Sequence, residues 1–184
     1  MLTLGEEMSR IGRHYGNRTA VVDESSSLSW KDFSTRIATA AGMLRGLGIE
    51  PGQRIAIYSR NSARFDELKW GAFHAGAVAV PINWRLAPPE IAHILQDSKC
   101  EPIFIEEDFV DIFDSAELQP WRDKLIKLTG PREYALDTYE QLFESASEVD
   151  VANVSPDDDA LILYTGGTTG RSKGVRLTHF NIIS

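Results

Sequence analysis

Between Gly52 and Ile105, three short apolar runs, Arg54–Tyr58, Ala77–Ile82 and Pro102–Ile105, alternate with two stretches whose apolar residues recur at helical spacing. A strand that is apolar at consecutive positions has two faces to bury, and a sheet covered on both sides buries them. The intervening stretches supply the cover. Phe65, Leu68, Ala72 and Phe73 mark one face of a helix from about Ser62 to His74. Ile91, Ile94 and Leu95 mark another, opened by Pro88-Pro89-Glu90, since proline is tolerated in a first helical turn. The fold class is therefore α/β: a layered fold with a largely parallel sheet flanked by helices, joined by right-handed crossovers.

The flanking segments fit that frame. Leu4, Met8, Ile11 and Tyr15 predict a helix that Gly16-Asn17 breaks. Ala20–Val22 reads as a short strand, and Leu28–Phe33 as another that runs into a helix carrying Ile37, Ala41, Leu44 and Leu47. Further on, Phe109–Ala116 reads as a short helix, Leu125–Leu128 as a strand and Thr138–Ala146 as a helix. Residues 147–159 are polar and poor in aromatics, the composition of a surface connection. Ala160–Tyr164 is a strand and Arg176–Thr178 returns as one, with Thr178 capping a helix from His179. The chain stops at Ser184, in the first turns of that helix, and is read as a piece of a longer protein.

Charge and cysteine exclude several functions. A net charge of −8 lacks the basic face of a nucleic-acid binder and does not suit an anionic membrane surface. Cys100 is the only cysteine, so neither an intrachain disulfide nor a CxxC site is available, and a half-buried structural thiol is expected. No basic leader and no apolar run of about 20 residues is present, so a soluble, cytoplasmic protein without integral membrane association is expected. A metal site is not expected. Asp157-Asp158-Asp159 point in different directions on any regular backbone, and His74 and His93 have no ligand spacing and are expected at the surface or rim. Trp70, Trp84 and Trp121 read as packing residues rather than a stacking platform for bases.

The chemistry concentrates in Tyr164–Val175, which holds four glycines and three threonines directly after a buried strand. Glycine allows positive φ and close approach of backbone N–H groups to a ligand, and such an array makes an anion-binding nest. Threonine hydroxyls add donors and Lys173 adds a mobile positive charge, a set suited to the β- and γ-phosphates of ATP. A Walker A loop is excluded because Lys173 follows Ser172 and precedes Gly174. The dinucleotide fingerprint fails as well, because a strand rather than a helix follows. A plain hairpin loop is the competing reading, made weaker by three threonines and a lysine in so short a span.

Tyr164-Thr165-Gly166-Gly167-Thr168-Thr169-Gly170-Arg171-Ser172-Lys173-Gly174-Val175 resembles the signature of the AMP-forming acyl-CoA synthetase and ligase superfamily, with Gly166 where that pattern has serine and Ser172 where it has proline. Leu28–Phe33, Gly52–Ile57, Gly76–Asn83 with Arg85-Leu86, Ile94–Ser98, and Thr178-His179 with Asn181 are similar to further family segments in the same order. The resemblance implies that residues 1–184 are the N-terminal part of an adenylation domain. It implies a two-step reaction in which a carboxylic acid, with a lean toward fatty acids, attacks ATP to give acyl-AMP, and coenzyme A then displaces AMP. Thr165, Gly166, Gly167, Thr168, Thr169, Gly170 and Lys173 would hold the departing pyrophosphate, with Lys173 as the charged contact and Arg171 facing solvent. The family's magnesium-binding glutamate, acyl pocket and catalytic lysine all lie later than Ser184, so no catalytic residue is expected in this chain and the isolated chain is expected to be inactive. His179 is expected to be structural. A homodimer stays open, as do a non-catalytic nucleotide-binding module and an ATPase or kinase.

Overall fold

The computed structural model describes residues 2–23, 27–129, 137–166 and 171–184. Its main sheet has six strands: β3 (Arg54–Tyr58), β4 (Val78–Ile82), β5 (Ile103–Ile105), β6 (Leu125–Lys127), β7 (Asp159–Thr165) and β8 (Lys173–Thr178). They lie in the order β6-β5-β3-β4-β7-β8 and run parallel except for β8, which is antiparallel to β7. A small antiparallel ribbon, β1 (Thr19–Val22) with β2 (Ser27–Ser29), stands apart.

Alternation along β3 shows why the centre of the sheet is apolar throughout. Ile55 and Ile57 face a layer containing Leu44, Leu68, Phe73, Phe104 and Tyr139. Ala56 and Tyr58 face the opposite layer, with Ile91, Ile94, Leu95, Val110 and Phe113. Each of the four is fully buried, and an isoleucine so placed contributes about 1.5–3 kcal/mol relative to leaving it in water. The first layer comes from α1 (Leu4–Tyr15), α2 (Trp30–Gly46), α3 (Ala63–Ala75) and α5 (Tyr139–Glu144). The second comes from α4 (Pro88–Ser98) and two 3-10 segments, Glu107–Asp114 and Gln119–Lys124. The short helix expected over Phe109–Ala116 is thus 3-10 and begins two residues earlier.

Local chemistry sets the helix ends. Thr3 and Glu6 form a reciprocal capping box on α1, Ser29 and Ser62 cap α2 and α3, and Thr178 with Asn181 caps α6 (His179–Ile183). Gly76 closes α3 at φ 76°, a left-handed conformation that L side chains rarely adopt.

Buried polar groups tie the first layer together. Glu67 on α3, 2% exposed, is held by Arg36 of α2, by Arg64 of its own helix at 2.8 Å and by the Tyr139 hydroxyl of α5 at 2.6 Å. Burial, and then the neighbouring carboxylate, hold the Tyr139 phenol well above its ordinary pKa, so it stays a donor. At the far edge of the sheet, Lys127 ends β6 fully buried, with Nζ 3.3 Å from Glu107.

Two expectations need correction. Cys100 is fully buried rather than half-buried, and burial pushes its thiol up to about 11. His74 is buried rather than at the surface or rim, because residues 147–152 pass across α2 and α3 as a strap. The Val149 carbonyl accepts from His74 Nε2 at 2.9 Å, and Ala152 N–H donates to the His74 carbonyl at 2.8 Å. Small residues admit the strap: a Cβ on Gly42 would lie 1.9 Å from the Ser147 oxygen.

Candidate functional site: the β7–β8 turn and its brace

β7, the strand next to the sheet's β8 edge, carries the chain to the glycine-threonine segment, and β8 carries it back. The ladder pairs Leu163 with Val175, Tyr164 with Gly174 and Thr165 with Lys173. Lys173 is therefore the first residue of the return strand, which begins three residues before the expected Arg176. Gly174 lies against the Tyr164 ring, where a Cβ would stand 3.1 Å from Cζ. Of the candidate phosphate contacts, Thr165, Gly166 and Lys173 are described; Gly167, Thr168, Thr169 and Gly170 lie outside the described residues. Lys173 and Arg171 are both exposed, and neither forms an ion pair with a described residue. A Cβ on Gly166 would meet nothing within 4 Å. An ammonium without an ion pair among the described residues, beside an open backbone, suits an anionic ligand. No grouping of three or more His, Cys, Asp or Glu able to hold a metal ion occurs among the described residues.

Both limbs of the turn are tied to one helix. From α4, the His93 ring Nε2 donates to the Ser172 carbonyl at 2.9 Å, and Asp97 accepts from the Tyr164 hydroxyl at 2.6 Å. The two rings meet edge to face at 6.4 Å. Burial, followed by the hydrogen bond to Asp97, raises the Tyr164 pKa well above its ordinary value and keeps the hydroxyl protonated as a donor. His93 and Tyr164 border an open cleft of about 930 Å³ whose other walls include Asn83, Leu86, Trp121 and Arg171. His93 is half-buried at its rim. The role of Asp97 was not anticipated from sequence; its spacing of four from His93 was the available signal.

The remaining candidates are structural. His179 is fully buried: its Nδ1 accepts from Leu4 N–H at 3.2 Å and its own N–H donates to the Asp158 carbonyl. Since Nδ1 accepts, Nε2 carries the proton; it has no hydrogen-bond partner among the described residues, and burial lowers the ring's pKa. The three aspartates diverge, with Asp158 accepting from Ser155 N–H at 2.8 Å and Asp159 paired with Arg176 at 2.6 Å. Trp70 packs on Phe73, and Trp84 stacks on Phe109. No helix among the described residues is long and apolar enough to cross a membrane.

A family model described as AMP-binding enzyme matches residues 8–184. The chain belongs to that family. Two relatives of this AMP-binding enzyme chain illustrate the range. The fatty acid–[acyl-carrier-protein] ligase ScoC of Streptomyces coeruleorubidus is 33% identical over 181 residues, covering 96% of this chain and 33% of that protein. Feruloyl-CoA synthase of Amycolatopsis sp is 32% identical over 186 residues, covering 97% of this chain and 34% of that protein. The inhibitor-bound N-terminal domain of FACL13 from Mycobacterium tuberculosis matches the fold with a TM-score of 0.85 at 31% identity, over 97% of this chain and 45% of that one. The α/β fold is thus that of the N-terminal domains of adenylate-forming enzymes. The chain spans about a third of the length of the curated relatives it matches.

Proposed function

We propose that this chain is the N-terminal part of a cytoplasmic, ATP-dependent acid–thiol ligase that activates a fatty acid as acyl-AMP and passes it to coenzyme A. The observation that carries the reading is Lys173: exposed, without an ion pair to any described residue, and placed by the β7–β8 ladder directly across from Thr165 at the mouth of the glycine-threonine turn. The substrate carboxylate supplies the nucleophile, so the protein's task is positioning and charge stabilisation. A carboxylate oxygen forms a bond to the α-phosphorus, the bond from that phosphorus to the bridging oxygen breaks, and the pair of electrons leaves with pyrophosphate. Thr165, Gly166, Gly167, Thr168, Thr169, Gly170 and Lys173 would gather the charge that develops on that leaving group. A thiol then takes the acyl group and releases AMP. One relative is named for a fatty acid and another, at nearly the same identity, for an aryl acid, so the acid panel below decides between the two classes.

The test is AMP release by the full reading frame containing this chain, with ATP, coenzyme A and a panel of fatty, aryl and short-chain acids. AMP and pyrophosphate are expected with a fatty acid, and Lys173→Ala is expected to lower kcat/KM by about 10- to 100-fold, the loss of about 1.4–2.7 kcal/mol of charge stabilisation. Release of ADP or phosphate instead would point to an ATPase or kinase and overturn the reading. The 184-residue chain alone is expected to show no acid-dependent pyrophosphate exchange; reproducible exchange by the chain that vanishes in Lys173→Ala would refute that.

A further inference from the structure

The return limb of the turn has little packing to hold it. Residues 173–176 of β8 are all exposed, β8 is an edge strand, and one neighbour, β7, supplies its ladder. A limb with so little burial relies on polar ties for its position. Beyond the ladder, the described ties are Arg176 to Asp159 low on the strand and His93 to the Ser172 carbonyl at its mouth. On the outgoing limb, the Tyr164 hydroxyl is fixed by Asp97. His93 and Asp97 are four residues apart on α4, and the helix is anchored on its other face by Ile91, Ile94 and Leu95 in the core. One rigid element therefore holds both limbs, and the carbonyl that His93 grips belongs to the residue immediately before Lys173.

We propose that His93 and Asp97 are positioning residues for the phosphate-binding turn: α4 braces its two limbs, His93 through the Ser172 carbonyl and Asp97 through the Tyr164 hydroxyl, and so sets where Lys173 meets the nucleotide phosphates. The inference rests on the reading of the turn as a phosphate holder. The ring of His93 makes no contribution to the chemistry; it acts through the Ser172 carbonyl, and either its neutral Nε2–H form or the imidazolium provides the donor. In the family pattern a proline stiffens position 172 from within. Here Ser172 stands in that place, and the brace supplies restraint from outside.

The experiment compares binding of MgATP and of AMP to the full reading frame by calorimetry, with the melting midpoint of each variant measured alongside. His93→Leu removes the donor and is expected to weaken MgATP about three- to tenfold, the effect of one lost hydrogen bond. AMP, which lacks the β- and γ-phosphates, is expected to bind as before. His93→Gln, which keeps an amide donor, is expected to recover most of the loss. Tyr164→Phe, which cuts the other tie, is a second variant with the same expected signature, should His93→Leu fail to fold. Equal weakening of MgATP and AMP would mean that His93 serves only the fold and would overturn the proposal. So would an unchanged MgATP affinity in His93→Leu and Tyr164→Phe while Lys173→Ala weakens it. If Lys173→Ala also leaves MgATP affinity unchanged, it is the phosphate-holding role of the turn that fails, and the brace with it.

Discussion

His179 joins three parts of the chain through one ring and one backbone N–H: α1 through Leu4, the turn before β7 through Asp158, and α6, which it begins. Its hydrogen-bond geometry has a consequence for pH. Burial depresses the ring's pKa below its ordinary 6.5, with Asp158 and Glu6 opposing, and burial depresses that of His74 as well, against the Val149 carbonyl. A histidine depressed in the folded state binds more protons when unfolded, so stability is complete above about 6.5 and falls as pH drops through that value toward the folded pKa. The slope is at most about 1.4 kcal/mol per pH unit for each such group. Urea midpoints measured from pH 7.5 to 5 are expected to decline, and His179→Gln is expected to flatten the decline; a variant profile parallel to the wild type would count against it. Sequence located His179 at a helix start and read it as structural. It could not reveal the partner, because Leu4 lies 175 positions away. Cys100 and His74 were placed too near the surface for the same reason: burial is decided by what packs from a distance.

Elements were legible where their signals are local. The periodicity of Leu4–Tyr15, the proline pair at Pro88 and the capping residue Thr178 all predict elements found at those positions. The start of β8 was not, since its pairing with β7 extends through Lys173-Gly174-Val175, residues whose composition reads as loop. Most of the brace was invisible as well, because Ser172 is 79 residues from His93 and Tyr164 is 67 from Asp97. The candidate site was therefore readable as a motif but not as a braced one. Two glycines of α2 make an element-scale contrast. A Cβ on Gly42 would collide with the Ser147 oxygen at 1.9 Å, whereas one on Gly46 would meet nothing within 4 Å. Gly46→Ala is expected to stabilise by up to about 1 kcal/mol through helix propensity. Gly42→Ala has the same propensity gain but must displace the strap and its hydrogen bonds from Val149 to Ala38 and from His74 to Val149. A net destabilisation of about 1–3 kcal/mol is expected. Thermal midpoints moving in opposite directions would bear out the contrast; a Gly42→Ala variant as stable as Gly46→Ala would show that the strap yields freely.

At the scale of the whole molecule, the sheet order places β7 between the central strand β4 and the edge strand β8, so the turn projects from a strand supported on both sides and returns along one supported on a single side. The helical layer beneath is unified by Glu67. Its carboxylate sits almost out of reach of water between Arg36 and Arg64, each still about a quarter to a third exposed, so the net value of the group is less than a fully buried pair would give. Glu67→Gln leaves two guanidiniums without their common partner and is expected to lower stability by about 3 kcal/mol, read from denaturant unfolding; a change below about 0.5 kcal/mol would show that solvent takes over the role. The same carboxylate also bears on the order of assembly. A charge is costly to bury before its partners arrive, and the partners of Glu67 come from three helices, one of them more than 70 residues further along the chain at Tyr139. Arg36 and Arg64 reach the carboxylate when α2 meets α3, but its full set of partners requires α5 to dock as well, bringing the Tyr139 hydroxyl. Such a requirement places the contact late in folding, so Glu67→Gln should quicken unfolding far more than it slows refolding.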